Sequence, residues 1–141
     1  MRTIKRVESA RDLEAAHSIR FKVFVDEQKV PPELELDEYD EAAIHILALE
    51  NGRAVGCGRL VFFEDYAKIG RVAVLKEHRG AGFGKIICKE LINIAQENNA
   101  AKVILHSQCS AEEFYRNLGF VPEGEIFDDA GIDHISMYME L

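Results

Sequence analysis

The chain has 141 residues, 48% hydrophobic and 30% charged, which is enough to build one buried core but too few for two ordinary domains. Seventeen Lys and Arg against 25 Asp and Glu give a formal net charge of −8, which argues against a surface that grips nucleic acid or anionic lipid over its whole extent. No stretch reaches the ~18 apolar residues of a membrane span, and the N-terminal residues lack the apolar core of a signal peptide, so a cytoplasmic protein with no membrane partner is expected. Cys57, Cys88 and Cys109 are an odd number without metal-ligand spacing, which fits a reduced compartment and gives no reason to expect a metal.

No linker, repeat or low-complexity tract interrupts the chain, so residues 1–141 are read as a single domain. Ser9 followed by Asp12 resembles a capping box, and Leu13, Ala16, Arg20, Val23, Phe24 and Glu27 recur at helical spacing, which predicts a helix over about 10–28 ended by Pro31 and Pro32. HILALE and VGCGRLVFF flank Asn51-Gly52, a pair that accepts positive φ and predicts a tight β-hairpin. A third strand, KIGRVAVL, leads through a glycine-rich turn into a helix with Ile87, Leu91, Ile94 and Ala95 on one face, ending at Asn98 and Asn99. Then come a strand over 102–106, a short helix capped by Ser110 with Glu113 as its reciprocal acid and closed by Gly119, and two terminal strands around Asp128 to Gly131. Alternating strands and helices with an antiparallel start and finish give an α/β or α+β class with a mixed sheet.

Between the third strand and its helix the glycines at 80, 82 and 84 free the backbone to bring N–H groups up to an anion, with the helix N-terminus adding its positive end. Neither familiar phosphate motif fits. Three residues, not four, separate Gly80 from Gly84 and Ile86 follows Lys85, which excludes a Walker loop, and position 85 is not the glycine of a dinucleotide fingerprint.

Arg79-Gly80-Ala81-Gly82-Phe83-Gly84 does resemble the Q/R-x-x-G-x-G/A signature of the GNAT superfamily of acyl-CoA-dependent N-acetyltransferases, and Phe114-Tyr115-Arg116-Asn117-Leu118-Gly119-Phe120 is similar to its FYxxxGF element. Arg20 with Val23 to Pro31, then Glu35, Asp37 and Asp40, and the tail Gly131 to Met137 resemble a small bacterial ElaA-like branch, so the likeness spans nearly the whole chain. It implies a mixed, mostly antiparallel central sheet flanked by about four helices, with a splayed pair of central strands. It implies acetyl-CoA as cosubstrate, with the backbone of Arg79, Gly80, Ala81, Gly82, Phe83 and Gly84, and Lys85 nearby, on the coenzyme A pyrophosphate. The strand Arg71 to Val74 would pair with the pantetheine arm through Val72 and Val74, with Ala73 between them, and Phe114 and Tyr115 would complete the coenzyme site.

The activity implied is direct acetyl transfer to a primary amine of a small molecule, peptide or protein, with Tyr115 as the general acid to the leaving sulfur and the Val74 N–H polarising the carbonyl. Where some GNAT enzymes carry a basic glutamate this chain has Lys68, and Glu33, Asp37, Asp40, His45 and His134 are substitutes, His134 reading equally as a packed structural residue. A route through Cys109 lacks an activating base, which favours direct transfer. Residues 26–41 sum to −7 and residues 68–89 to +5, so an acidic rim for a cationic amine or a merely solvated loop stands against a basic coenzyme side. An acyl-homoserine-lactone-synthase-like acyltransferase and a non-catalytic acyl-CoA sensing module are the alternative functions, and the sequence does not choose between monomer and homodimer.

Overall fold

A computed structural model describes all residues, 1–141. Seven strands form one sheet: β1 (Arg2–Arg6), β2 (Ile44–Glu50), β3 (Arg53–Phe62), β4 (Tyr66–Val74), β5 (Lys102–Gln108), β6 (Val121–Asp129) and β7 (Ile132–Glu140). Their order is β1-β2-β3-β4-β5-β7-β6, and every neighbouring pair is antiparallel except β4 and β5. Four α-helices accompany them, α1 (Ala10–Arg20), α2 (Pro32–Glu35), α3 (Phe83–Glu97) and α4 (Glu112–Asn117), so the expected mixed, mostly antiparallel sheet with about four helices is the fold observed.

The β2–β3 hairpin turns on Asn51 and Gly52, both at positive φ, which their residue types accept. The amphipathic face read from α3 is buried: Ile87, Leu91, Ile94 and Ala95 pack with Ile46, Leu60, Ile69, Val103, Leu105 and Met137 from one side of the sheet. On the other side Ala16, Ile19 and Val23 pack against Leu47, Cys57 and Ala73. Helix α3 lies so close to β3 that a Cβ at Gly58 would sit 2.8 Å from Ile87 Cγ2 and 2.9 Å from Leu91 Cδ1.

Three local expectations change. The helix predicted over 10–28 is α-helical only to Arg20; Phe21–Glu27 winds as a π-helix, with Gln28 N–H donating to the Val23 carbonyl five residues back. Ser9 caps α1 as read, its Oγ accepting from Asp12 N–H at 3.1 Å, but the Asp12 carboxylate accepts from Glu8 N–H rather than from Ser9. Ser110 caps nothing: a 3₁₀ turn over Cys109–Ala111 takes it up, and α4 begins at Glu112 without a side-chain cap. Strand β1 had no signal in the sequence analysis, because its five residues are almost all exposed and it holds the sheet edge mainly through its ladder with β2.

A buried ion network fixes the connection between α1 and β2. Arg20, 1% exposed, donates from Nε to Glu35 Oε2 at 2.8 Å and from Nη1 to Asp40 Oδ1 at 2.7 Å. Arg59 on β3 donates from Nη1 and Nη2 to the two Asp37 oxygens at 2.7 and 2.9 Å and from Nη1 to Asp40 Oδ1 at 2.9 Å. Arg71 on β4 places Nε 3.0 Å from Glu35 Oε2 and Nη2 3.3 Å from Asp37 Oδ2. Three guanidinium groups thus meet three carboxylates. Burial pushes Asp40 upward, but hydrogen bonds from Arg20, Asp37 N–H and Arg59 outweigh it and hold the carboxyl well below the usual range. Asp37 is likewise lowered, burial being outweighed by Arg59 and Arg71, whereas at Glu35 burial wins and raises the pKa.

Gly58→Val should destabilise the fold by roughly 1–3 kcal/mol or more through overpacking, read as a lower urea midpoint. Arg20→Met removes the buried guanidinium that Glu35 and Asp40 share, leaving them to Arg71 and Arg59 alone, and should cost about 3–5 kcal/mol in the same measurement. The pH sign follows from the directions. Asp37 and Asp40, lowered on folding, contribute stability above their unfolded value of about 4 that is lost as pH falls through their folded values. Glu35, raised on folding, contributes most below about 4.5 and opposes that trend as pH rises. Acid titration of the wild type should show the loss dominating below about pH 4, and Asp40→Asn should flatten it.

Candidate active site

Strands β4 and β5 pair in parallel from Tyr66–Lys102 to Ile69–Leu105 and no further. Beyond that point β4 keeps its ladder with β3, and β5 keeps its ladder with β7, so the facing edges of Gly70–Val74 and His106–Gln108 have no strand between them. A bulge produces the parting. Cys57 pairs with Ala73 and Arg59 with Gly70, which leaves one extra residue on β4, and Arg71 takes φ +53 there. The extra residue also resets the alternation of faces, so Arg71 joins Lys68 and Gly70 on the side of α1 while Val72 and Val74 turn to the α3 side.

A cavity of about 590 Å³ occupies the parting. One end is the turn from β4 into α3, where Gly82 stands at φ +90 as the N-cap and no acid occupies the first helical turn. The turn is braced from several sides: Arg79 donates from Nε to Val74 O at 2.9 Å and from Nη2 to Glu27 Oε1 at 2.7 Å, and the Arg2 guanidinium lies 4.6 Å from the centroid of the Phe83 ring. The Phe114 ring approaches to 3.3 Å from the position of a Gly84 Cβ, which brings the two motifs recognised in the sequence into contact. Across the opposite mouth Gln108 Nε2 donates to Gln28 Oε1 at 2.7 Å, linking β5 to the end of the π-helix.

Every coenzyme residue anticipated from the sequence except Ala81 lines this cavity. Unpaired strand edges, backbone N–H groups at a helix N-terminus and Lys85 suit an elongated phosphate-bearing ligand. The carbonyl of Val74 already accepts from Arg79, which leaves the Val74 N–H as that residue's contribution. Tyr115 also lines the cavity, with its ring edge-on to Phe114 at 5.0 Å and Phe120 at 6.0 Å. Burial, with Cys88 close by, raises its pKa above that of an ordinary phenol, so the hydroxyl remains a donor.

The acceptor candidates divide. His134 lines the cavity, 9% exposed, and its Nδ1 lies 2.7 Å from the Ile132 carbonyl; Nδ1 therefore carries the proton in the neutral ring, and Nε2 holds the free lone pair. Asp37 and Asp40 are bound into the arginine network, His45 directs Nε2 at the Asp40 carbonyl at 2.8 Å, and Glu33 is exposed on α2; none of the four lines the cavity. The acidic rim expected over 26–41 is therefore largely cancelled where it is buried. In its place that end of the cavity is lined by Arg59, Lys68, His106 and Asp129, which the sequence alone did not single out for this place. Their signal was alternation: Arg59 on β3, Lys68 on β4, His106 on β5 and His134 on β7 share one face, which only the strand register reveals. Burial and the neighbouring Lys68 lower the His106 pKa, and burial and Arg59 lower that of Lys68.

The three thiols lie apart from this chemistry. Burial pushes Cys57 and Cys88 up to about 12, and Cys109 does not line the cavity.

Comparison with known proteins agrees with the geometry. Residues 8–141 match the family described as an acetyltransferase (GNAT) domain. The chain is 41% identical over 126 residues to the uncharacterized N-acetyltransferase YjcF of Bacillus subtilis strain 168, covering 89% of this chain and 90% of that protein. The crystal structure of Escherichia coli ElaA superposes with a TM-score of 0.89 at 28% identity, over 99% of this chain and 100% of ElaA, in keeping with the branch suggested by the sequence. A GNAT family acetyltransferase from Elizabethkingia anophelis, solved with acetyl-CoA bound, shares the fold at a TM-score of 0.77 and 18% identity, over 99% and 98% of the two chains. With its glycine turn, its parted strands and a family match over almost its full length, the chain belongs to the GNAT acetyltransferase family.

Proposed function

We propose that the protein transfers an acetyl group from acetyl-CoA directly to a primary amine, with Tyr115 as the acid toward the departing sulfur. The observation that carries this reading is the single cavity that joins the glycine turn, the unpaired edge of β4 and Tyr115. The backbone N–H groups of the turn, with Lys85, would hold the pyrophosphate, and Val72 to Val74 would stand in for a strand partner along the pantetheine. When bound, acetyl-CoA supplies a thioester whose carbonyl carbon is the electrophile.

The chain's own residues supply the rest. The Val74 N–H polarises the carbonyl oxygen, and the walls of the parted strands exclude water around it. His134, through Nε2 or one water, takes the proton that the amine releases as the N–C bond forms. Tyr115 gives its proton to the sulfur as the C–S bond breaks, and regains one as the imidazolium discharges, so the products are an amide and a thiol with no proton gained or lost. Two buried thiols of high pKa and a Cys109 outside the cavity support direct transfer over a cysteine relay.

Tyr115→Phe should lower kcat by about 10²-fold while coenzyme A affinity, measured by calorimetry, stays unchanged. Unchanged kcat in that variant overturns the assignment of the acid. Gly82→Val places a β-branched side chain at φ +90 and should abolish coenzyme A binding, with circular dichroism confirming that the sheet and helices persist.

A further inference from the structure

The acceptor end of the cavity has an unusual charge arrangement for an enzyme expected to receive an amine. Arg20, Arg59 and Arg71 are matched by Glu35, Asp37 and Asp40 within the ion network, so that group sums to zero. Lys68, half-buried two residues before Gly70 on the same strand and face, is left over: it makes no ion pair and no hydrogen bond, and burial and the guanidinium of Arg59 disfavour its charged form. A second donor is unsatisfied beside it. Arg59 is only 7% exposed, and its Nε has no acceptor; that Nε is directed toward Gly70, 3.7 Å from where a Cβ would stand. Gly70 lines the cavity, and the missing side chain leaves the space over its backbone open. The one acid lining this end, Asp129, is exposed on the β6–β7 hairpin and forms no ion pair with Lys68.

A cavity-lining lysine without an acceptor, on the strand that pairs with Arg59 and its buried, unsatisfied Nε–H, forms half of a charge-assisted contact. We propose that the acceptor amine carries an anionic oxygen group, a carboxylate or a phosphate, that binds Lys68 over Gly70 beside Arg59. The proposal rests on the transferase reading for the word acceptor, but the anion site is defined by these residues alone. Asp129, on the rim, is of the sign to attract the ammonium end of such a zwitterion while its anionic end seats against Lys68. A simple diamine or polyamine would bring a second positive charge to Lys68 and is disfavoured on the same ground.

Thiol release from acetyl-CoA should be measured with β-alanine against propylamine and with O-phosphoethanolamine against ethanolamine. The wild type should favour the anionic member of at least one pair by about tenfold in kcat/KM, and which pair responds distinguishes carboxylate from phosphate. Lys68→Met should erase the preference through KM while turnover of the neutral amine is kept, and Lys68→Arg should restore it. Equal use of both members by the wild type, or an equal loss for both in Lys68→Met, overturns the proposal. A parallel calorimetric titration of β-alanine and of O-phosphoethanolamine into the coenzyme A-loaded protein separates the two readings. If no amine is acetylated but either compound binds in a Lys68-dependent way, the anion site stands and the transferase reading falls. If propylamine or ethanolamine is acetylated while neither anion binds, the transferase stands and the anion site falls.

Discussion

The site depends on two parallel strands that begin paired and then part. A parallel ladder that ran the full length of β4 and β5 would leave no room for a ligand, because adjacent strands sit only about 4.8 Å apart. The extra residue at Arg71 prevents this by bending β4 away after Ile69. A non-glycine residue at φ +53 is held there by its surroundings, and here the holding contacts are identifiable: Arg71 Nε and Nη2 reach the Glu35 carbonyl at 3.1 and 2.9 Å, and the same guanidinium lies against the Glu35 and Asp37 carboxylates. The ion network is thus the clamp that sets the bulge, and the bulge is what opens the sheet.

That clamp changes the meaning of the chain's acidity. Read along the sequence, the −7 of residues 26–41 suits either a rim for a cation or a merely solvated loop. In three dimensions Glu35, Asp37 and Asp40 face Arg20, Arg59 and Arg71, which come from an α-helix and two strands and lie 15 to 36 residues away where they bond. All three arginines lie outside the segment that was summed. A running charge total records neighbours in the chain, whereas the field at a site is set by neighbours in space.

The same distinction explains what was legible. The Asn51-Gly52 hairpin, the buried stripe of α3, the glycine turn and the class of the sheet depend on residues within a few positions of one another, and local pattern recovered them. The π-helix did not show, because helical periodicity in Val23 and Phe24 does not distinguish i→i+4 from i→i+5 bonding. Ser110 and Glu113 had the spacing of a cap, but the strand before them feeds a 3₁₀ turn that leaves Ser110 outside the helix. Lys68, His106 and His134 fall on three strands whose order, β4-β5-β7, skips one element of the chain, so their shared face needed the sheet register.

On the proposed reading, the scarcity of free carboxylates at the acceptor end, where only the exposed Asp129 is unpaired, bears directly on the proton problem. A carboxylate beside an incoming amine would attract it but stabilise its ammonium form, raising the pKa that the base must overcome. Here the buried carboxylates are engaged with arginines, Asp129 stands exposed on the rim, and the bases facing the cavity are imidazoles, one of them with its pKa lowered by burial and Lys68. An imidazole is neutral and basic near pH 7 without needing an acidic neighbour. Anchoring the acceptor through its own negative group would then separate the two tasks: the distal anion supplies affinity at Lys68, and the amine leaves the exposed Asp129 on the rim to meet the thioester without a buried counter-ion that resists its deprotonation.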